Sequence, residues 1–337
     1  MRKTFGVLAL GVILTVLASI GFGQAISGDV VGTVFDATGA GVPSATVTAE
    51  NQQTGVKTST TTNAGGGYRL SNLLVGNYSL TSSAPGFTPA TIKNLGVELN
   101  KTITANVTLQ VGSTTTTVEV SEASAVIDTT TAQVQSTFSG IQATQLPMTG
   151  VGNPGTNFGV YNLSLLSAGV SSSGGVGVGI GPSVGGQRPR NNSFTIEGTD
   201  NNRKDVTGPT VYVPNEATAE FTLLQNQFSP EYGHSSGGQF NLIIKSGGNA
   251  IHGSLYEYNQ NRNYNAVDQL LANQGTRSNP RYDQNRLGGS FGGPIVKNKL
   301  FFYGLYEYNP VGQSSVPPGV FGPTAAGFSA LGAIPGL

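Results

Sequence analysis

The chain has 337 residues, 49 of them Gly, only 10% charged and with abundant Ser, Thr and Asn, a composition that suits short strands and polar turns rather than helices. Lys plus Arg equals Asp plus Glu at 17 each, which leaves no basic field to draw in nucleic acid. Cys is absent, so disulfides and thiolate chemistry are excluded. In chain order, Arg2 and Lys3 precede an apolar run from Phe5 to Ile20, and Gly23-Gln24-Ala25 supplies small residues for a signal peptidase. The pattern predicts a secretory signal peptide over 1–25 and a mature chain starting near Ile26, with a retained anchor as the alternative. No later segment reaches ~18 consecutive apolar residues, so any membrane crossing must use strands closed into a barrel.

Residues 26–111 alternate in short runs broken by Gly and Pro. Strands are expected at Val30–Phe35, Thr46–Ala49, Lys57–Thr62, Tyr68–Leu70, Tyr78–Ser82, Thr91–Leu95 and Ile103–Leu109, which makes a small antiparallel sandwich. The stretches GTVFDATGAGVPSATVTAENQQTG and GGGYRLSNLLVGNYSLTSSAPGF resemble the carboxypeptidase-regulatory-like domain, a transthyretin-type sandwich of carbohydrate-binding-like fold. Neither His lies in this unit, so it lacks the material of a His-rich zinc site. It reads as a non-catalytic module. Residues 112–130 are polar and β-prone, as expected of an extended linker.

Residues 131–248 carry Leu146-Pro147-Met148, Tyr161-Asn162-Leu163, Gly185-Gly186-Gln187-Arg188 and FTIEGTDNN at 194–202. Strands are expected at Phe194–Glu197 and from Glu220 to Leu224. The glycine-rich stretch 171–186 fits neither nucleotide-binding glycine pattern and reads as a loop. Residues 249–337 offer strands at His252–Gln260, Asn285–Gly293 and Leu300–Tyr308, each near the ~9–11 residues of a tilted spanning strand. In the second, Leu287, Gly289 and Phe291 share one face and Arg286, Gly288 and Ser290 the other. The first and third alternate poorly. A long polar connection and then a short turn, PIVKNK, join the three, which is the loop pattern of outer-membrane barrels. Tyr256, Tyr258, Tyr306 and Tyr308 fall where an aromatic girdle would lie, and ordinary sheet packing accounts for them equally.

From EYGHSSGGQFNLIIKSGGNAIHGSLYEYN to NRLGGSFGGPIVKNKLFFYGLYEY, the chain resembles the plug-to-barrel junction of Oar-like TonB-dependent receptors. That resemblance implies a mainly β protein: a sandwich in the periplasm, a mixed plug at 131–248, and the first strands of an incomplete outer-membrane β-barrel at 249–337. Only 89 residues follow position 248, so an N-terminal fragment is expected. It implies uptake of an extracellular substrate, with carbohydrate among the candidates, and contact with outer-membrane lipid. TonB is the implied periplasmic partner, adding a strand to a candidate TonB box at Val118, Glu119 and Val120, with the last sandwich strand or plain linker as the alternative reading of those residues. Arg188, Glu197, Asp200 and Arg203 are the implied plug–barrel polar contacts, with Glu197 standing where relatives often carry Asp. The alternative is a secreted carbohydrate-binding or adhesin-type sandwich protein. His234 and His252 have no carboxylate or nucleophile arrangement around them, so no catalytic, cofactor or metal site is expected.

Overall fold

The computed structural model describes residues 26–112, 118–120, 133–146, 159–172, 181–204, 208–228, 232–233, 235–267, 269–273, 275 and 277–313. The signal peptide expected over 1–25, Pro147-Met148 and His234 lie outside them. The chain divides into two compact units, Met1–Ser254 with Ser290–Leu305, and Leu255–Gly289 with Tyr306–Leu337.

In the first unit a sandwich is built from β1 (Ser27–Phe35), β2 (Thr46–Asn51), β3 (Lys57–Thr61), β4 (Gly67–Leu74), β5 (Gly76–Ser83), β6 (Phe87–Thr88), β7 (Ala90–Val97), β8 (Thr102–Thr104), β9 (Val107–Thr108) and β10 (Gln110–Val111). A short strand, β11 (Val118–Val120), follows. One sheet runs β4-β1-β8 with β9 also on β1, and the other runs β11-β7-β5-β2-β3. Inward positions repeat every second residue, as in Val47 and Ala49 of β2 and Tyr78 and Leu80 of β5. They meet Val30, Val34, Leu70, Ile92 and Val107 in one core.

The expected all-antiparallel pairing needs correction, because β8 and β9 both run parallel to β1. The chain leaves β7 in one sheet and crosses to the other through Glu98–Lys101, and a strand reached by a crossover is free to lie parallel. The single strand expected over Ile103–Leu109 is also broken. Ala105 N–H donates to Val31 O (2.8 Å), and Asn106 Oδ1 accepts from Thr33 N–H (2.9 Å). Gly32 permits this approach, since a Cβ there would stand 1.9 Å from Ala105 O.

The central sheet uses β12 (Val134–Ser139), β15 (Ser193–Ile196), β16 (Thr199–Asp200), β17 (Thr218–Asn226) and β18 (Gln239–Ile244), with β13 (Val170–Ser172) and β14 (Pro182–Val184) as a separate pair. Its order is β12-β17-β18-β15-β16, and β15 lies parallel to β18 among otherwise antiparallel neighbours. Tyr161, from the 3-10 segment Gly159–Leu166, inserts edge-on against Phe194 and Phe221 with ring centroids 5.3 and 5.6 Å away. Phe194 stacks on Phe240 at 4.8 Å, so four aromatic side chains fill the middle of this core. Helix α1 (Gly140–Gln145) is opened by a capping box, in which Gln142 N–H donates to Ser139 Oγ and Ser139 N–H to Gln142 Oε1.

Three long strands follow in the order β19 (His252–Asn261), β20 (Tyr282–Val296) and β21 (Leu300–Tyr308), and β22 (Val311–Gln313) pairs with β20. The boundary between the two units falls within these strands. Poor alternation was expected of β21, yet exposed and half-buried residues alternate along its whole length. Both faces carry apolar residues, so the period is invisible in hydrophobicity: Leu300, Phe302, Tyr306 and Tyr308 face out, while Phe301, Tyr303, Leu305 and Glu307 face the other way. Along β20 the outward row is Leu287, Phe291 and Ile295.

Candidate functional site

The candidate TonB box is extended, as strand addition requires, and its backbone is already paired. Val118, Glu119 and Val120 lie parallel to β7 opposite Ala90, Thr91 and Ile92. β11 therefore ends its sheet, and among the described residues its pairing is with β7 on one side. Among the described residues the other side is an open edge.

Of the four polar candidates, Glu197 and Asp200 make hydrogen bonds within their own part of the fold. Glu197 takes a left-handed turn (φ 50°) after β15, and its Oε1 accepts from Ile244 N–H (2.6 Å), closing the end of β18. Asp200 is exposed and accepts from Asn202 N–H (3.1 Å). Arg203 is half-buried; its charge reaches Tyr212, whose phenol burial raises and Arg203 lowers. Arg188 is exposed at the head of the 3-10 turn Pro189–Asn191. Glu197 and Asp200 thus share the β15–β16 hairpin. The asparagines of the same motif brace the loop around it: Asn201 exchanges hydrogen bonds with both backbone groups of Val211, at 2.9 and 2.8 Å. Asn202 Oδ1 accepts from Phe194 N–H (3.0 Å).

Two junctions within the first unit escaped sequence reasoning. At one, Glu220 of β17 is buried, 5% exposed, and its Oε1 accepts from Leu99 N–H (2.9 Å) and from Thr222 Oγ1 (3.0 Å). Burial pushes its carboxyl up to about 7, against the pull of those two hydrogen bonds. The readable signal was an acidic residue inside the apolar run TAEFTLL. At the other, Asn249 N–H donates to Gln53 O (2.9 Å) and Asn249 Nδ2 to Thr54 O (2.7 Å), fastening the β2–β3 turn to the segment entering β19. Asn249 also bonds the β20–β21 turn, giving its Nδ2 to Asn298 Oδ1 (2.7 Å) and accepting from Asn298 N–H (2.9 Å) on Oδ1.

In the second unit, Arg286 and Glu307 form a bidentate pair at 2.9 and 3.2 Å, with side chains only 23% and 10% exposed. Tyr256 donates its hydroxyl to Glu307 Oε2 (2.9 Å), and the Arg286 guanidinium lies over the Tyr258 ring at 5.5 Å. The girdle expected of these two tyrosines is therefore corrected. Tyr256 and Tyr258 alternate in phase with the polar face and engage its charges, whereas Tyr306 and Tyr308 stand on the outward face. The sandwich carries an open groove of ≈ 660 Å³ lined by Thr33, Thr60, Asn63, Tyr68, Arg69 and Asn106 among others, with Arg69 tied to Asp29.

Residues 29–110 match the carboxypeptidase regulatory-like domain, and residues 243–331 match an outer membrane beta barrel domain. Over 310 residues the chain is 28% identical to the TonB-dependent transporter Oar of Myxococcus xanthus, an alignment that takes in 90% of this chain and 28% of Oar. The chain thus spans under a third of that relative's length. Among solved structures, the siderophore receptor PirA from Acinetobacter baumannii matches at 21% identity and a TM-score of 0.39, over 52% of this chain and 24% of PirA. PirA from Pseudomonas aeruginosa matches at 16% and 0.37, over 53% of this chain and 29% of that one.

Proposed function

We propose that this chain works as part of a TonB-dependent outer-membrane transporter that takes up an extracellular substrate. The protein is mainly β, carries a carboxypeptidase regulatory-like domain and an outer membrane β-barrel domain, and belongs at the outer membrane. In this reading residues 26–111 are a periplasmic sandwich, 112–130 a linker, 131–248 the plug and 249–337 the first strands of the barrel wall. The observation that carries it is the outward apolar row of β20 and β21 together with an ion pair on the opposite face. Leu287, Phe291, Ile295, Leu300, Phe302, Tyr306 and Tyr308 face outward, and Arg286 paired with Glu307 lies on the opposite face. A strand with lipid on one side and a polar interior on the other needs that division.

Energy would enter through backbone pairing at Val118–Val120, whose open edge is of the kind a periplasmic TonB strand extends. Pull on that strand would be felt by the sandwich and, through the Leu99–Glu220 and Asn249 junctions, by the plug and the first barrel turn. Arg188, Glu197, Asp200 and Arg203 are proposed plug contacts to the barrel wall. The alternative of a secreted sandwich adhesin gives no role to the outward apolar rows of β20 and β21. A photo-crosslinking residue at Glu119, in cells that make TonB, tests the reading. The expected product is a TonB adduct that Val118→Pro, which removes a backbone donor, abolishes. An adduct absent at Glu119, in protein recovered from outer membranes, overturns TonB engagement through this segment.

A further inference from the structure

Glu220 occupies an unusual place for a carboxylate. On β17 its register neighbours are Ser139 of β12 and Ile243 of β18, neither of them charged. A turn of the sandwich, Glu98–Lys101, reaches it: its Leu99 is 1% exposed and gives its N–H to Glu220 Oε1. The same turn is held at two further points. Asn100 Nδ2 donates to Gln133 Oε1 (2.8 Å), and Gln135 Nε2 approaches Leu99 O at 3.5 Å. Among the described residues, the charged groups facing Glu220 are both on this turn, Glu98, which disfavours a second negative charge, and Lys101, which favours it. Those two are paired with each other, so neither compensates Glu220 alone.

We propose that Glu220 is a proton-dependent clasp, which holds the sandwich on the central sheet while its carboxyl carries a proton and loosens that hold when it ionises. Lifting the turn away removes Leu99 from above the carboxyl and returns it to water, where it titrates at its ordinary value of 4.5; docked, it titrates near 7. The docked state therefore binds the proton more tightly. Docking is strongest below the lower value, weakens as pH rises between the two, and is weakest above about pH 7. The difference of about two and a half pH units corresponds to a change of about three-hundred-fold in the docking equilibrium, most of it falling between pH 5 and 8.5. Nothing in this clasp requires transport: it is a property of the sandwich and the sheet beneath it.

Hydrogen–deuterium exchange of the full chain in detergent micelles, between pH 5 and 8.5 and normalised to the intrinsic exchange rate, reads the clasp at the Leu99 amide. In the unaltered protein its protection is expected to fall on the order of ten- to a hundred-fold across that range. Glu220→Gln keeps the shape and the acceptor oxygen but cannot ionise, so its Leu99 protection should be flat with pH. Amides of β18 report the fold of the sheet and should stay protected in both. Equal pH dependence in the two proteins, or a flat profile in the unaltered one, overturns the proposal. So does loss of β18 protection in parallel with Leu99, because the whole sheet rather than the junction would then be titrating.

Discussion

Gly32 and Gly39 lie a few residues apart in the sandwich and constrain the chain for different reasons. At Gly32 a Cβ would collide with the backbone oxygen of Ala105 at 1.9 Å, so the absent side chain is what lets β8 and the following turn close on β1. At Gly39 the backbone is left-handed (φ 87°) with nothing within 4 Å, so only the torsion resists a side chain. Gly32→Ala is accordingly expected to destabilise the sandwich by about 3 kcal/mol, as overpacking against a backbone atom that cannot yield. Gly39→Ala is expected to cost about 1 kcal/mol. Denaturant unfolding of the full chain, followed by exchange in the sandwich peptides, separates the two; equal losses would show that the close approach at Gly32 carries no weight. Asp36 beside this turn shows how local the polar economy is. Its carboxyl is held below the ordinary value by the Thr38 hydroxyl first and by backbone N–H groups, Ala40's foremost.

Individual elements were legible in proportion to how far their boundaries depend on nearby residues. β21 begins and ends where its sequence says, because Asn298 turns left-handed (φ 63°) before it and Asn309-Pro310 follows. α1 has a comparable local warrant in Ser139 and Gln142, whose mutual hydrogen bonds satisfy two donors that the helix leaves free. Ser139→Ala should cost about 1 kcal/mol and raise exchange at Gln142 and its neighbours without touching the sandwich. Unchanged exchange there would mean that packing of Ala143, fully buried, orders the helix without the cap. The break between β8 and β9 had no such local sign. It depends on Gly32, more than seventy residues away in sequence, and on Asn106 reaching across to Thr33.

At the scale of the molecule, the placement of β20 and β21 in a membrane depends on which face each side chain takes. Phe291 stands on the outward face near the middle of its row, and Tyr308 closes the row on β21. Phe291→Arg is expected to cost roughly 2–4 kcal/mol of membrane insertion, as a cation at mid-depth, and Tyr308→Arg about 1 kcal/mol or less near the boundary. The fraction of protein integrated in outer membranes checks this. Equal integration of both variants would remove these strands from the lipid.

By itself the sequence carried the short alternating strands of the sandwich and the alternation along β20, because alternation and Gly, Pro and Asn punctuation act over a few residues. It also carried the extended backbone at Val118–Val120, though not its seat on β7. The tertiary structure alone decided the parallel pairing of β8 with β1, the polar engagement of Tyr256 and Tyr258, and the burial of Glu220 beneath Leu99. Each of these depends on a partner distant in sequence. A carboxylate's solvation, a tyrosine's face and a strand's neighbour are properties of contact across the fold, and local pattern has no access to which surfaces will meet.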